Sequence, residues 1–557
     1  MIVLGLHKDP WHNSGAAMIR EDGHGVRFAN LAEERPNREK DSRKFPNLAI
    51  KACMDELGVA STDEIDLVVM DYIIRPDWRD DWYRRPCETE TMLAQVDSRK
   101  IHVINHHLAH AYNVFYSSNF ESAAVLIVDG RGSEKQTQSL FMATQDGLEL
   151  IESTRVIGIG LLYAAVTQAI GFGLLQEGKT MGLAPYGEHV EKKIFDLPRC
   201  FNGVVTDYSS VCIEDSYAMG APHAPIETFD DKARAAFEVQ QECETALIHL
   251  AEYAFKRTGA SYLCISGGVA LNSVANYKVL QAGIFKDVFI NPAASDTGIP
   301  LGAALYGYHT ALRRPKSYKQ ISPYLGPSYN PERVWAAIEG YRGTPFDQHS
   351  YEGFHVVERD AKERAVEMLA ANKIVACLHG RSEMGPRALG NRSILMSPLA
   401  AENKDLLNSR VKHREAFRPF APAILEEFTT EYFHIDRPSP YMLLVPSVVE
   451  DKRAVIPAVT HVDGTGRLQT VNREFNPHFY SLIQGFYEKT GVPVLLNTSF
   501  NVAKEPIVES PEDAIRCFLT TDIDALLLGD YLLIKNGGPA PAAPPIDRNL
   551  SRERIGE

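Results

Sequence analysis

The sequence has no long apolar run, no paired cysteines and no excess of positive charge. No stretch approaches the roughly 20 apolar residues needed to cross a bilayer, so a membrane-spanning protein is not expected. Met1 to His7 is a short apolar run that polar residues interrupt at once, unlike a secretory leader. The eight cysteines (Cys53, Cys87, Cys200, Cys212, Cys243, Cys264, Cys377 and Cys517) are scattered and never spaced C-x-x-C. That excludes a zinc ribbon and a dense disulfide framework, and it fits a reducing cytoplasm. Lys and Arg number 58 against 72 Asp and Glu, a formal net charge of -14. A nucleic-acid partner would need a basic face and is disfavoured. Phosphate ligands are not, because local Arg clusters can sit inside an acidic protein.

With 557 residues, 45% hydrophobic and 23% charged, the chain is an ordinary globular protein too long for one core. Two large domains are expected. "MIVLGL", "SGAAMIRE" and "VRFANLAEE" read as three successive strands, followed by a helix from Asn47 to Leu57 and a buried strand in "IDLVVMDY". "SAAVLIVDG" starts a second meander, with a hairpin in "SLFMATQDGLELIEST". Two such blocks suggest a duplicated α/β unit of the actin-like kind. The text turns irregular between Ser317 and Gly353, which places the boundary there: a first domain over 1–350 and a second over 351–535. The Pro/Ala-rich and then charged 536–557 reads as a tail.

"NHHLAHAYNVFYSS" puts His106 and His110 four residues apart, on one face of a helix. Two imidazoles so placed can reach one cation. Asp129 ends the strand "AAVLIVD", and Asp296 lies in the loop "NPAASDTG" ahead of a small-residue helix. Two His and two Asp suit iron, manganese or zinc. An H-x-x-x-H alone is often plain helix surface; the two loop aspartates give it weight. His107 points off that face.

"CISGGVALN" has a strand, a Gly-Gly turn and a helix start, with Gly267, Gly268 and Asn272, where backbone N–H groups can face an anion. "VDGRGS", Asp129 through Gly130, Arg131, Gly132 and Ser133, reads as a facing loop of the same kind. Glu177 and Lys179 lie in "EGKTMGLAPYG", and His12 follows the first strand at the mouth of such a cleft. In the second half, "HGRSEMGPRALGNRSIL" carries Arg387 and Arg392, and "VKHREAFRPFAPAI" carries Lys412, Arg414 and Arg418. "THVDGTGRLQTV" adds Arg467, and "VPVLLNTSFN" ends a strand with Asn497, Thr498 and Ser499. Several guanidinium forks among Gly, Pro and apolar residues imply a polyanionic ligand.

With "HHLAHA", "MGLAPYG", "GGVALN", "GPRALGNRSIL", "REAFRPFAP", "HVDGT" and "NTSFN" in this order, the chain resembles the O-carbamoyltransferase family of the tobramycin and nodulation-protein type over nearly its whole length. The resemblance implies an α/β fold: a duplicated actin-like (ASKHA) domain followed by a YrdC-like α+β domain. It implies that carbamoyl phosphate and ATP, the latter with Mg2+, form a carbamoyl-adenylate in the second domain. A metal-assisted step in the first domain, Fe2+ being the metal implied, then moves the carbamoyl group to a hydroxyl of a small molecule. Arg387, Lys412, Arg418, Arg467, Asn497 and Ser499 match the carbamoyl-phosphate and ATP pocket; His106, His110, Asp129 and Asp296 match the metal positions. Gly268, Asn272 and the Asp129 to Ser133 loop match the positions that hold the adenylate. Lys40 matches a nucleotide-contacting lysine, and His12 a residue beside the carbamoyl end that could serve as general base. Ser133 stands where relatives often carry an acid, and His379 and Ser382 where they commonly carry Gln and Met. The run Phe201 to Ala235 follows no stated pattern and is expected to shape the acceptor site.

Two other readings compete. A threonylcarbamoyl-type tRNA-modification enzyme should carry basic tRNA-facing surface, which the acidic balance does not favour; a hydrogenase-maturation relative should carry zinc-finger cysteines, which are absent. A non-catalytic actin-like nucleotide-binding protein leaves the Arg-rich half unexplained.

Overall fold

A computed structural model describes residues 1–8, 12–73, 92–94, 96–213, 218–220, 222–317, 319–342 and 353–536. The tail expected over 536–557 lies outside them apart from Asn536. The chain divides into two compact units. The first is Met1–Asn37, Asp41–Gly326 and Met384–Pro386; the second is Arg38–Lys40, Pro327–Glu383 and Arg387–Glu557. The division falls after Gly326, ahead of the boundary at 350 that composition suggests. Asn330 caps the helix Pro331–Tyr341 by accepting from Arg333 N, and that helix packs on Pro511–Leu519 of the second unit. The amphipathic helix, rather than the irregular text around it, decides where 327–342 belongs.

The first unit contains the same strand order twice. β1 (Ile2–His7), β2 (Gly15–Asp22) and β3 (Gly25–Ala32) form an antiparallel meander, and α1 (Asn47–Leu57) follows. β4 (Leu67–Tyr72) pairs parallel with β1, and β5 (Ile101–Asn105) pairs parallel with β4, giving β3-β2-β1-β4-β5. α2 (His106–Ser117) starts at once, because the Asn105 side chain accepts from Leu108 N and caps it. The meander repeats as β6 (Ala123–Val128), β7 (Gln138–Thr144) and β8 (Gly147–Thr154). Then come α3 (Ile159–Ala169), two short hairpins (β9 Cys200–Asn202 with β10 Val205–Asp207, β11 Cys212–Ile213 with β12 Ala218–Met219) and the long α4 (Phe229–Thr258). β13 (Tyr262–Ser266) pairs parallel with β6 and β14 (Asp287–Ile290) with β13, flanking α5 (Ser273–Gln281), and α6 (Ile299–Tyr306) closes the repeat. The order β8-β7-β6-β13-β14 reproduces the first sheet.

α2 and α6, the helices that end the two halves, pack on each other, and α6 also packs on β1. Two glycines permit this. A Cβ on Gly302 would lie 1.9 Å from Ala109 O in α2, and one on Gly5 the same distance from Pro300 O. Gly302→Ala is therefore expected to cost about 1–3 kcal/mol, read as a lower urea midpoint with unchanged slope. Parallel strands so covered bury both faces, which is why β1, β4 and β6 are buried along their whole length.

The second unit has one mixed eight-stranded sheet. Its strands are β15 (Phe354–Val357), β16 (Val375–Leu378), β17 (Arg392–Met396), β18 (Ala421–Leu425), β19 (Gln469–Val471), β20 (Val494–Ser499), β21 (Ala525–Leu528) and β22 (Tyr531–Lys535), in the order β15-β22-β21-β16-β17-β20-β18-β19. Helices α7 (Pro331–Tyr341), α8 (Ala361–Ala370), α9 (Pro477–Thr490) and α10 (Pro511–Leu519) complete it, α8 packing on α9 and α10 on β16 and β21. Both units are α/β in character.

Candidate functional site

The parallel strands of the first unit deliver polar side chains at their carboxyl ends, where α/β sheets place ligands. His7 ends β1, Asp71 lies near the end of β4, His106 follows β5, Asp129 follows β6 and Ser266 ends β13. All are buried. Ligand atoms of His106, His110, Asp129 and Asp296 lie within 4.8 Å of one another. His106 Nε2 is 3.3 Å from Asp129 Oδ2 and 3.5 Å from Asp296 Oδ1. The matching distances from His110 Nε2 are 3.5 and 3.4 Å.

Hydrogen bonding behind the cluster tells which ring nitrogen carries the proton. Ser266 Oγ donates to Ala294 O at 3.1 Å, so its contact with His110 Nδ1 at 3.2 Å is one it accepts. His110 therefore holds its proton on Nδ1, and its Nε2, buried and without a hydrogen bond of its own, turns a lone pair on two carboxylates. Asp71 Oδ2 accepts from His106 Nδ1 at 2.7 Å, and Asp71 Oδ1 from His7 Nδ1 at 2.8 Å. Burial alone would raise the Asp71 carboxyl, but His7 and His106 hold it down at about 2. Burial opposes ionisation of Asp129 and Asp296 too, and His106 beside them works against it most strongly, both carboxyls lying below the usual carboxylate range. Two lone pairs and two carboxylates can share this space only around positive charge. A divalent cation fits that donor set; the alternative is a proton on His106, whose pKa the three carboxylates raise well above the usual value against burial.

Asp129 serves two purposes. Its Oδ2 faces the histidines, while its Oδ1 accepts from Gly130 N and Gly268 N, both at 2.9 Å. The two glycine loops thus meet on one carboxylate. Gly267 has φ 95°, and a Cβ there would fall 2.3 Å from Val128 O. His12 Nδ1 sits 3.6 Å from Asp296 Oδ2 with about a quarter of its ring exposed. Burial pushes the Glu177 carboxyl up, and His12 is near enough to work against that. Arg131 is half-buried, and Lys40, counted with the second unit, is exposed.

Two of the expected ligand-contacting side chains are committed within the protein. Ser133, buried, donates to Tyr72 O and accepts from His106 N, tying the loop to the start of α2. Asn272 caps α5 through Ala275 N and exchanges hydrogen bonds with Gln240. His107 is separate from the cluster: its Nδ1 pairs with Ser139 Oγ at 2.7 Å, and burial lowers its pKa to about 3. Phe201 to Ala235, as far as described, forms the two short hairpins and the start of α4.

In the second unit Arg387, Arg414, Arg418 and Arg467 are half-buried and near enough to feel one another's charge. Burial, and then the charges of Arg387, Arg414 and Arg418, push Arg467 well below the usual arginine value. Arg387 falls to about 10 through burial and Arg418, and Arg414 to about 9, chiefly through burial and Arg418. Among the described residues Arg387 and Arg467 pair with no carboxylate, and the nearest acid to Arg418 is Glu415 at 3.8 Å. Arg414 reaches Pro419 O and lies over the Phe420 ring. Mutually repelling guanidiniums with so little counter-charge are suited to a polyanion.

The other polar residues of these motifs are tied to the protein. Lys412 Nζ is spent on Ser499 O, Ser499 Oγ, Asn501 O and Asn501 Oδ1 at 2.8–3.3 Å. Asn497 Nδ2 donates to Gln469 Oε1 and Ala388 O. Arg392, fully buried, pairs with Glu509 at 3.3 Å and donates to several backbone carbonyls, which holds the turn. His379 stacks on His478 with ring centroids 3.5 Å apart. Sequence reasoning passed over Asp71, His7 and Ser266. An apolar run ending in Asp, as in "LVVMD", resembles "VLIVD" before Asp129, and that was the available signal.

The family model for the carbamoyltransferase N-terminus matches residues 81–305, and that for the carbamoyltransferase C-terminus matches 366–535. Nodulation protein NolNO of Sinorhizobium fredii is 37% identical over 94% of this chain and 79% of its own. A 3'-hydroxymethylcephem-O-carbamoyltransferase of Streptomyces clavuligerus is 31% identical over 63% of this chain and 64% of its own. Among solved structures, full-length HypF in its phosphate- and nucleotide-bound form aligns over 55% of both chains at 14% identity with a TM-score of 0.33, too slight a likeness to carry an argument. The chain belongs to the carbamoyltransferase family. It is an enzyme of carbamoyl transfer.

Proposed function

We propose that this protein is an ATP-dependent O-carbamoyltransferase acting on a hydroxyl of a small molecule, with activation of the carbamoyl group on the second unit and transfer on the first. The observation that carries the reading is the guanidinium cluster of Arg387, Arg414, Arg418 and Arg467, which lacks matching carboxylates. Carbamoyl phosphate and ATP together bring the negative charge that such a cluster needs. Atom balance sets the order: water releases phosphate from carbamoyl phosphate, the carbamate oxygen attacks the α-phosphorus of ATP, and pyrophosphate leaves. Arg387 and Arg467 would bind the phosphate oxygens, and Arg418 would stabilise charge on the departing group. Lys412, spent on the 499–501 turn, would shape the pocket's floor.

On the first unit, His106, His110, Asp129 and Asp296 would hold a divalent metal, Fe2+ by family resemblance. Such an ion supplies Lewis-acid polarisation of a carbamoyl or phosphate oxygen. Backbone amides of the two glycine loops would receive the adenylate's phosphate. His12, beside Asp296 and partly exposed, would take the acceptor hydroxyl's proton as its oxygen attacks the carbamoyl carbon and AMP departs. The duplicated strand order supports the actin-like reading of the first unit; the second unit is read as YrdC-like by family resemblance alone. The cephem relative's name supports a hydroxyl acceptor. The direct test incubates the protein with carbamoyl phosphate, ATP and a panel of hydroxylated natural products, and seeks by mass spectrometry a product that carries a carbamoyl group in place of a hydrogen. Transfer to amines but to no hydroxyl would overturn the reading.

A further inference from the structure

The residues behind the cluster point to a positioning function that lies beyond the four candidate ligands. β1, β4 and β5 are neighbouring parallel strands, and they carry His7, Asp71 and His106 at the same end. Asp71 therefore stands between two imidazoles, Oδ1 on His7 and Oδ2 on His106, and all three side chains are about 1% exposed or less. Taking a carboxylate this far from water is expensive unless its partners are fixed. Neither partner is a Lys or Arg: both bonds come from imidazole Nδ1–H groups.

We infer that Asp71, steadied by His7, is a positioning residue that locks His106 in the tautomer able to ligate a divalent cation. The inference rests on the proposed metal centre. An acceptor-only group at His106 Nδ1 obliges the proton to sit there and aims the Nε2 lone pair at Asp129 and Asp296; its charge also makes that nitrogen a better donor. Ser266 does the same for His110 with a neutral hydroxyl, so the two imidazoles differ in basicity although they face the same carboxylates. In Asp71→Asn an N–H group replaces one oxygen. Whichever imidazole meets it must move its proton to Nε2. If that is His106, ligation is lost; if it is His7, the charge behind His106 is still gone.

The full-length protein, stripped of metal by chelator, is titrated with Co2+ against a chromophoric competitor while the visible ligand-field spectrum is followed. Asp71→Asn is expected to bind Co2+ roughly 10–100-fold more weakly than wild type, with a changed spectrum. The melting temperature of the metal-free protein and pyrophosphate exchange should stay near wild type, which separates positioning from general damage. Wild-type affinity and spectrum in Asp71→Asn would overturn the inference. Should that variant not fold, His7→Leu, which strips the bond at Oδ1, is expected to weaken Co2+ binding several-fold, and unchanged binding there would overturn it equally. A wild-type protein that binds no Co2+ would instead remove the metal centre itself, and this inference with it.

Discussion

His110→Ala is expected to leave carbamoyl-phosphate-dependent exchange of labelled pyrophosphate into ATP near wild type while transfer to a hydroxyl falls by about 1000-fold or more. The size follows from the chemistry assigned to the cluster. Lewis-acid stabilisation is worth several kcal/mol, and each 1.36 kcal/mol is tenfold in rate. His110 belongs to the first unit, and its Nε2 is one of four ligand atoms within 4.8 Å. Alanine removes that donor and leaves Ser266 Oγ with its bond to Ala294 O, so the fold around β13 keeps its main tie. Both quantities can be read on one preparation: isotope exchange for activation, product mass for transfer.

Arg418→Ala is expected to give the converse on activation: carbamoyl-phosphate-dependent exchange lost by roughly 100- to 1000-fold, the cost of removing one preorganised group from a developing anion. Arg418 makes only a distant contact with Glu415 and is about one-third exposed, so its removal should cost little stability. It also depresses the pKa of Arg387, Arg414 and Arg467. The remaining guanidiniums should therefore become easier to keep charged in the variant, and added phosphate should protect it less against heat than it protects wild type. Equal loss of exchange in His110→Ala and Arg418→Ala would contradict a division of labour between two sites.

Much of this was legible in the residues, and the parts that were not share a physical cause. His106 and His110 could be paired by helical spacing, and Asp129 and Asp296 by their positions after a strand and before a small-residue helix; the four do converge. Asp71 was hidden because its strand is apolar on both faces, so nothing in "IDLVVMDY" marks which neighbour meets the carboxylate until the parallel pairing with β5 is known. The Arg motifs were visible, but the division of tasks within them was not. Arg387 and Arg392 are five residues apart in one motif, yet Arg392 is sealed against Glu509 while Arg387 has no carboxylate. Ser133 and Asn272 show the same limit: short polar residues near glycine turns look alike in sequence whether they meet a ligand or hold the fold. The boundary near 350 followed composition, whereas packing of the helix that begins at Pro331 carried it back to Gly326.

The shared carboxylate of Asp129 has a thermodynamic corollary. One of its oxygens belongs to the histidine cluster and the other to the amides of Gly130 and Gly268. A ligand that draws either amide away must turn the carboxylate or leave that oxygen bare, and a cation that pulls on the other oxygen tightens the same pivot. Were the loops to hold a nucleotide and the cluster a cation, as proposed, the two occupancies would be linked through that carboxylate. Linkage is reciprocal: whatever factor a bound nucleotide imposes on metal affinity, the metal must impose on the nucleotide.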